Sequence, residues 1–147
     1  MERKQNISII GLGHVGLPMM TILSNLKKGG KYLYNVNAIE KNDKKGQNIQ
    51  KSINQKKFIF NKNDNNFNRL LNKTISLSKI EIRTDFKNLV KSDVIIVSIN
   101  FEIKKHKKEF NNLKKLFEDI GSRIKRGSLV LLETTVPPGT CEKIILP

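Results

Sequence analysis

The feature that most constrains this chain is a glycine-rich segment near its amino end, residues 7–18, which reads ISIIGLGHVGLP. Gly11, Gly13 and Gly16 have the GxGxxG spacing and follow an apolar, β-branched run that is typical of a strand. In a strand-turn-helix unit, such glycines permit a tight turn, admit a diphosphate to the backbone and let the helix pack closely on the sheet. The segment therefore predicts a dinucleotide-binding turn, and a glycine-rich surface turn is the alternative.

Strand and helix signals alternate along the rest of the chain. This order predicts an α/β fold, Rossmann-like and doubly wound, with a mainly parallel sheet and helices on both faces. Helices are predicted over residues 15–28, 43–53 and 109–120, and a further one begins at 139–145. Strands are predicted at 7–10, 35–40, 80–83, 94–99 and 128–133, the last two fully buried. Residues 55–72, rich in Asn and Lys, are predicted to form a mobile loop with at most a short helix over 67–71.

Composition narrows the class of protein. A length of 147 residues suits one domain with a core. No apolar run reaches the roughly 18 residues of a membrane span, and the amino-terminal MERKQN lacks the apolar centre of a signal peptide. The single cysteine, Cys141, excludes an internal disulfide and a multi-cysteine metal site. We therefore expect a cytoplasmic protein with no membrane association and no metal.

The formal charge of +15 raises the question of a nucleic-acid partner. The lysines, however, are spread over the whole sequence, and no aromatic residues alternate with them as in a single-strand binding platform. We expect a solvated basic surface with no nucleic-acid partner, which attracts an anionic nucleotide by long-range steering. A nucleic-acid binder is the alternative.

An acidic residue ends the predicted second strand. Glu40 lies 24 residues after Gly16, close to the position where a carboxylate accepts hydrogen bonds from the adenosine ribose. A carboxylate there repels a 2′-phosphate and so favours NAD over NADP. The nearby Lys41, Lys44 and Lys45 soften that preference, and an ordinary exposed carboxylate is the alternative for Glu40.

A second block, residues 133–140, reads ETTVPPGT and follows the predicted strand at 128–133. In an open α/β sheet ligands bind at the carboxyl ends of the strands. Together, GLGHVGLP and ETTVPPGT resemble the GLGYVGLP and ESTVPPGT signatures of the UDP-glucose/GDP-mannose dehydrogenase family. The strand led by Asp93 is similar to the family's ADVVII segment. The resemblance covers essentially the whole chain, and the ETTVPPGT block argues against a β-hydroxyacid dehydrogenase, which begins with a similar glycine turn.

The resemblance implies an NAD-binding domain of a nucleotide-sugar 6-dehydrogenase, which oxidises a sugar C6 alcohol twice, to a carboxylate, through a thioester on a cysteine. It implies that Thr135 positions a water near the reacting carbon, whereas a hydroxyl that only satisfies backbone groups in the turn is the alternative. The cofactor-binding residues that it implies are Gly11, Gly13, His14, Val15, Gly16, Glu40, Lys45, Ser98 and Thr135.

This chain departs from the family pattern at several positions. His14 replaces a tyrosine in the glycine turn, and Asn100-Phe101-Glu102 stand where the family has Pro-Thr-Pro beside the nicotinamide. The family's nucleophilic cysteine and catalytic lysine come after the ETTVPPGT block, so residues 1–147 are expected to be an NAD-binding domain that ends before the central and carboxy-terminal domains. Cys141 is not assigned the catalytic role. The resemblance implies a homodimer and a nucleotide-sugar substrate for the full-length enzyme; a stand-alone or degenerate NAD-binding module without turnover is the alternative.

Overall fold

Alternating β-branched runs and amphipathic segments give this chain an α/β fold. A computed structural model describes residues 3–55, 64–76, 80–102 and 106–146. The described strands, in chain order, are β1 (Gln5–Ile10), β2 (Lys27–Lys28), β3 (Lys31–Tyr32), β4 (Tyr34–Ile39), β5 (Ile80–Arg83), β6 (Val94–Val97) and β7 (Leu129–Leu132). The described helices are α1 (Gly16–Asn25), α2 (Lys44–Asn54), α3 (Asn65–Ser76) and α4 (His106–Gly121).

Five strands form one parallel sheet in the order β5-β4-β1-β6-β7. From β1 the chain moves outward to β4 and β5 on one side, and then crosses to β6 and β7 on the other. This reversal of direction at β1 opens a crevice at the carboxyl ends of β1 and β6, where open α/β sheets bind ligands. The predicted doubly wound fold is confirmed.

The sheet is covered on both faces because side chains alternate along each strand. On one face, Ile7 and Ile9 of β1 pack in a core with Leu17 of α1 and Leu71 of α3. On the other face, a second cluster contains Ile95 and Val97 of β6 and Ile120 of α4. The glycine turn is therefore fixed between two packed layers.

The first helix is shorter than the sequence predicted. It ends at Asn25, and residues 27–32 form the β2–β3 hairpin in place of a last helical turn. Gly29 and Gly30 both have positive φ angles, 55° and 76°, as the two central residues of a type I′ turn require. The two glycines therefore close a hairpin directly after the helix.

The predicted loop at 55–72 is wrong in its second half. Residues Asn65–Ser76 form α3, which begins where an Asp64 side-chain oxygen accepts a hydrogen bond from the Phe67 amide at 2.9 Å. The segment was predicted as a loop because it is rich in Asn, but it contains an apolar stripe with Leu71 that packs against α1. Residues 56–63 lie outside the described part of the chain.

Strand β7 is not the fully buried strand that its sequence predicted. It lies at the end of the main sheet in the part of the chain that the structure describes, with Leu129 53% exposed and Leu131 36% exposed. Val130 and Leu132 point to the other face and pack in the cluster that includes α4. A run of consecutive apolar residues cannot distinguish an edge strand from a central one. After β7, residues Cys141–Ile145 form a single π-helical turn.

The amino edge of the main sheet collects basic residues from four separate segments, 3–6, 26–35, 91–93 and 125–128. Hydrogen bonds connect the first three: Asn35 donates to Asn6, and Asn6 donates to the Lys91 carbonyl oxygen, both at 3.0 Å. Within these segments Asp93 is the single carboxylate. The absence of a nucleic-acid partner stays a prediction. The basic residues are Arg3, Lys4, Lys27, Lys28, Lys31, Lys91, Lys125 and Arg126.

Candidate dinucleotide-binding site

The glycine turn connects β1 to α1 at the carboxyl edge of the sheet. Gly11 has a φ of +93°, and its amide donates to the Ile39 carbonyl oxygen at 2.8 Å. A Cβ added at Gly11 would lie 2.1 Å from the Ser98 carbonyl oxygen, which is too close for any side chain. Gly11 therefore lets the turn pass against the end of β6, and the tight turn that the sequence predicted is present.

Gly13 differs from Gly11 because it has free space around it. Apart from Gly13 and its two chain neighbours, no described residue has an atom within 4 Å of a Cβ built at Gly13. The residue is exposed, as are His14 and Val15, and helix α1 begins directly after them at Gly16. An exposed backbone in front of a helix amino terminus suits a diphosphate, because the helix dipole favours negative charge there. These residues fit the diphosphate of a dinucleotide.

The Glu40 side chain points toward the glycine turn. One of its carboxylate oxygens accepts a hydrogen bond from the Leu12 amide at 2.7 Å, and the other accepts one from the Lys41 amide at 2.9 Å. The structure thus brings Glu40 and the glycine turn together at the same edge, as their spacing predicted. The carboxylate also restrains the turn, a contact that the sequence did not reveal.

Helix α2 begins at Lys44, four residues after Glu40, and its first turn packs closely against Glu40. A Cβ at Gly46 would lie 1.9 Å from the Lys41 carbonyl oxygen and 3.0 Å from the Glu40 Cγ. Asp43 caps the helix by accepting from the Gly46 amide at 2.9 Å, and this bond lowers the pKa of the Asp43 carboxyl. Sequence reasoning missed Gly46, although a glycine in the first turn of a helix is a signal of close approach. Lys45 is exposed in the same turn.

Strands β6 and β7 carry the remaining predicted residues. Ser98 follows β6, is 8% exposed, and donates its amide to the Ile10 carbonyl oxygen at 2.8 Å. Thr135 is exposed in the turn after β7. Its neighbour Thr134, which sequence reasoning missed, bonds to the backbone of Ile99 with its hydroxyl. All of the predicted cofactor residues therefore lie on segments at the carboxyl edge, with Lys45 one turn into α2.

Asp93 lies at the opposite, amino edge of the sheet. It accepts hydrogen bonds from the Asn6 amide at 2.8 Å and from the side chains of Lys125 and Arg3. These bonds, that of Asn6 first, hold the pKa of the Asp93 carboxyl far below its usual range. Through these bonds Asp93, which lies just before β6, connects the start of β1 to the segment before β7.

Three further observations concern metal binding, the cysteine and the membrane. The described residues contain no group of three or more His, Cys, Asp or Glu side chains arranged to hold a metal ion. Cys141 is exposed at the start of the π-helical turn, in the segment that follows the Thr135 turn. Among the helices that the structure describes, none has the length and apolar character needed to cross a membrane.

A glycine turn at the switch point of a parallel sheet, with a carboxylate at the end of the neighbouring strand β4 hydrogen-bonded to it, defines a Rossmann-type dinucleotide-binding domain. The family model for the NAD-binding domain of UDP-glucose/GDP-mannose dehydrogenases matches residues 5–147. The chain belongs to the UDP-glucose/GDP-mannose dehydrogenase family, and its cofactor is NAD.

Similar proteins agree with this assignment. The chain is 28% identical to protein CapL of Staphylococcus aureus over 97% of its own length and 30% of that protein. It is 27% identical to the UDP-N-acetyl-D-mannosamine dehydrogenase of Pyrococcus horikoshii, over 94% of the chain and 30% of that protein. The chain thus spans about 30% of the length of these relatives.

Solved structures show the same fold. The NDP-N-acetyl-D-galactosaminuronic acid dehydrogenase of Methanosarcina mazei Go1 has a TM-score of 0.79 at 23% identity, covering 97% of this chain and 30% of that one. The P. horikoshii UDP-D-ManNAc dehydrogenase has a TM-score of 0.74 at 25% identity, covering 95% of this chain and 31% of that one.

Proposed function

We propose that this chain is the NAD-binding domain of a dehydrogenase that oxidises the C6 alcohol of a UDP-sugar to a carboxylate. The main observation that supports this proposal is the hydrogen bond from the Leu12 amide to the Glu40 carboxylate, because it brings an acid suited to accept from a ribose beside an exposed backbone suited to a diphosphate. Two of the relatives are named UDP-N-acetyl-D-mannosamine dehydrogenases. A UDP-N-acetylhexosamine is therefore the substrate class that we propose to test first.

Each residue of the carboxyl edge has a proposed role. The backbone of Gly13, His14 and Val15 binds the diphosphate, aided by the amino terminus of α1. Glu40 accepts hydrogen bonds from the adenosine ribose, and Lys45 adds a cation beside it. NAD supplies the hydride acceptor for the oxidation of the alcohol.

Thr135 and Ser98 border the half of the crevice that belongs to β6 and β7. Thr135 is exposed, so its hydroxyl is accessible to a water or to a substrate, and we assign it the orienting role. The proposal places the nucleophilic cysteine and the catalytic lysine in a part of the enzyme outside this chain. It also places the contacts that select the sugar, and those of a homodimer, outside this chain.

The test of cofactor binding is an isothermal titration of the chain with NAD. A Gly13→Asp variant brings a carboxylate to the diphosphate position, and the free space there means that the fold tolerates it. We expect its Kd to rise at least about tenfold, which corresponds to ~1.4 kcal/mol. Gly121→Asp is the matched control because that glycine also has free space among the described residues but ends α4. Equal NAD affinity in the two variants would contradict a role of the glycine turn in binding NAD.

The test of the reaction is turnover by the complete gene product. UDP-N-acetylmannosamine and UDP-glucose are each supplied with NAD, and NADH formation is followed by absorbance. We expect two NADH per sugar with one of these substrates, and no turnover by residues 1–147 alone. NAD binding without NADH formation from either sugar would contradict the proposed reaction and favour a binding module.

A further inference from the structure

The hydroxyl of Thr134 joins the two chain segments that leave β6 and β7. It accepts a hydrogen bond from the Ile99 amide at 3.1 Å and donates one to the Ile99 carbonyl oxygen at 3.0 Å. The last backbone bond between these strands runs from the Glu133 amide to the Val97 carbonyl oxygen at 2.8 Å. One side chain therefore continues the pairing beyond the end of the backbone ladder.

The segment that Thr134 holds forms one wall of the glycine turn. The carbonyl oxygen of Ser98, the residue before Ile99, lies only 2.1 Å from the position that a Cβ of Gly11 would take. Residues 94–102 contain no proline, so no ring fixes the backbone of this segment. Beyond the strand, the Ile99 backbone is restrained through both of its polar groups by the Thr134 hydroxyl.

We propose that Thr134 is a positioning residue for the nicotinamide half of NAD. The inference rests on the proposed function. A dinucleotide lies across the switch point of the sheet, with one half on the β1–β4 side and the other on the β6–β7 side. The glycine turn and Glu40 belong to the first half, whereas Ile99 and Thr135 border the second. Thr134 holds the two walls of that second half at a fixed separation, and so it acts on NAD through Ile99 and the adjoining Thr135 turn.

The experiment compares Thr134→Val, which replaces the hydroxyl with a methyl group, with Thr134→Ser, which retains it. Each chain is titrated with NAD and separately with ADP, which lacks the nicotinamide half. We expect the valine variant to bind NAD about fivefold more weakly or worse, because the Ile99 amide loses its partner. Its affinity for ADP stays within about twofold of wild type, since the diphosphate site is unchanged, and the serine variant restores NAD binding.

Hydrogen exchange at the Ile99 amide gives a readout without cofactor. We expect faster exchange in the valine variant and wild-type exchange in the serine variant. Equal loss of NAD and ADP affinity in the valine variant indicates a general structural defect and overturns the inference, as does unchanged NAD affinity. The inference is also overturned if the wild-type chain binds NAD no more tightly than it binds ADP. A wild-type chain that binds neither ligand contradicts the proposed function instead.

Discussion

A Cβ added at Gly16 would lie 1.9 Å from the carbonyl oxygen of Gly11, so the third glycine of the turn lies directly against the first. Gly11 in turn lies against Ser98, at the end of β6. The start of α1, the turn and the neighbouring strand are therefore in backbone contact. Gly13 lies between these two glycines and makes no such contact with the described residues. The three glycines thus differ in what they do, and substitutions can separate their roles.

Gly16→Ala is expected to destabilise the fold, whereas Gly13→Ala is expected to affect only NAD binding. The alanine methyl at position 16 meets backbone that cannot move aside, which costs roughly 3 kcal/mol. The methyl at position 13 enters free space and then obstructs the diphosphate. Denaturant unfolding measures the first effect and titration with NAD the second. A stable Gly16→Ala chain, or a Gly13→Ala chain with wild-type affinity, would contradict this division.

Glu40→Gln is expected to relax the preference for NAD over NADP. The glutamine oxygen still accepts from the Leu12 amide, so the turn keeps that bond, while the negative charge and the bond from the Lys41 amide are lost. We expect the ratio of NADP to NAD affinity to rise about tenfold, or ~1.4 kcal/mol. Titration with both cofactors measures the ratio. Glu118→Gln, which removes the same charge from an exposed position of α4, serves as the control, and an equal change in both variants would count against the role of Glu40.

Asp93→Asn is expected to remove part of the acid sensitivity of the fold. The pKa of Asp93 is lowered in the folded chain by the Asn6 amide, Lys125 and Arg3, so the ionised carboxylate contributes stability above the unfolded pKa of about 4. That contribution is lost as pH falls below about 4.

Thermal unfolding across pH tests this expectation. The asparagine variant should melt lower than wild type at neutral pH, and the two curves should converge in acid. Asp119→Asn, which breaks a half-exposed pair with Arg123, should change the melting temperature little. A constant difference between wild type and Asp93→Asn at every pH would show that charge is not the cause.

Lys28→Glu is expected to stabilise the β2–β3 hairpin. Lys28 pairs directly with Lys31 in the hairpin register, and like charges in that position repel. Substitution by Gln removes the repulsion and substitution by Glu replaces it with attraction, worth roughly 0.2–1 kcal/mol. At low salt the free energy of unfolding should therefore be highest for Lys28→Glu, lower for Lys28→Gln and lowest for wild type. Added salt should reduce the differences, and a salt-independent ranking would contradict an electrostatic origin.

Much of the cofactor site could be predicted because its signals are local. A glycine that needs a positive φ, such as Gly11, is recognisable in the sequence, and so is the acid that ends the next strand. Thr134 and Gly46 could not be identified in this way. Their roles depend on which backbone atom of a distant or crowded segment lies beside them, and a single threonine or glycine carries no such information.

The amino-acid sequence alone determined where the five strands of the main sheet lie along the chain, and it identified the glycine turn and Glu40, because these depend on backbone freedom and on short-range periodicity. The tertiary structure decided which apolar strand lies at the sheet edge, where Leu131 is exposed, and which charges become neighbours. Arg3, Asp93 and Lys125 are far apart in the sequence and meet because parallel strands start at the same edge. The physical reason is that the strand order, and not the distance along the chain, sets the separation of these side chains.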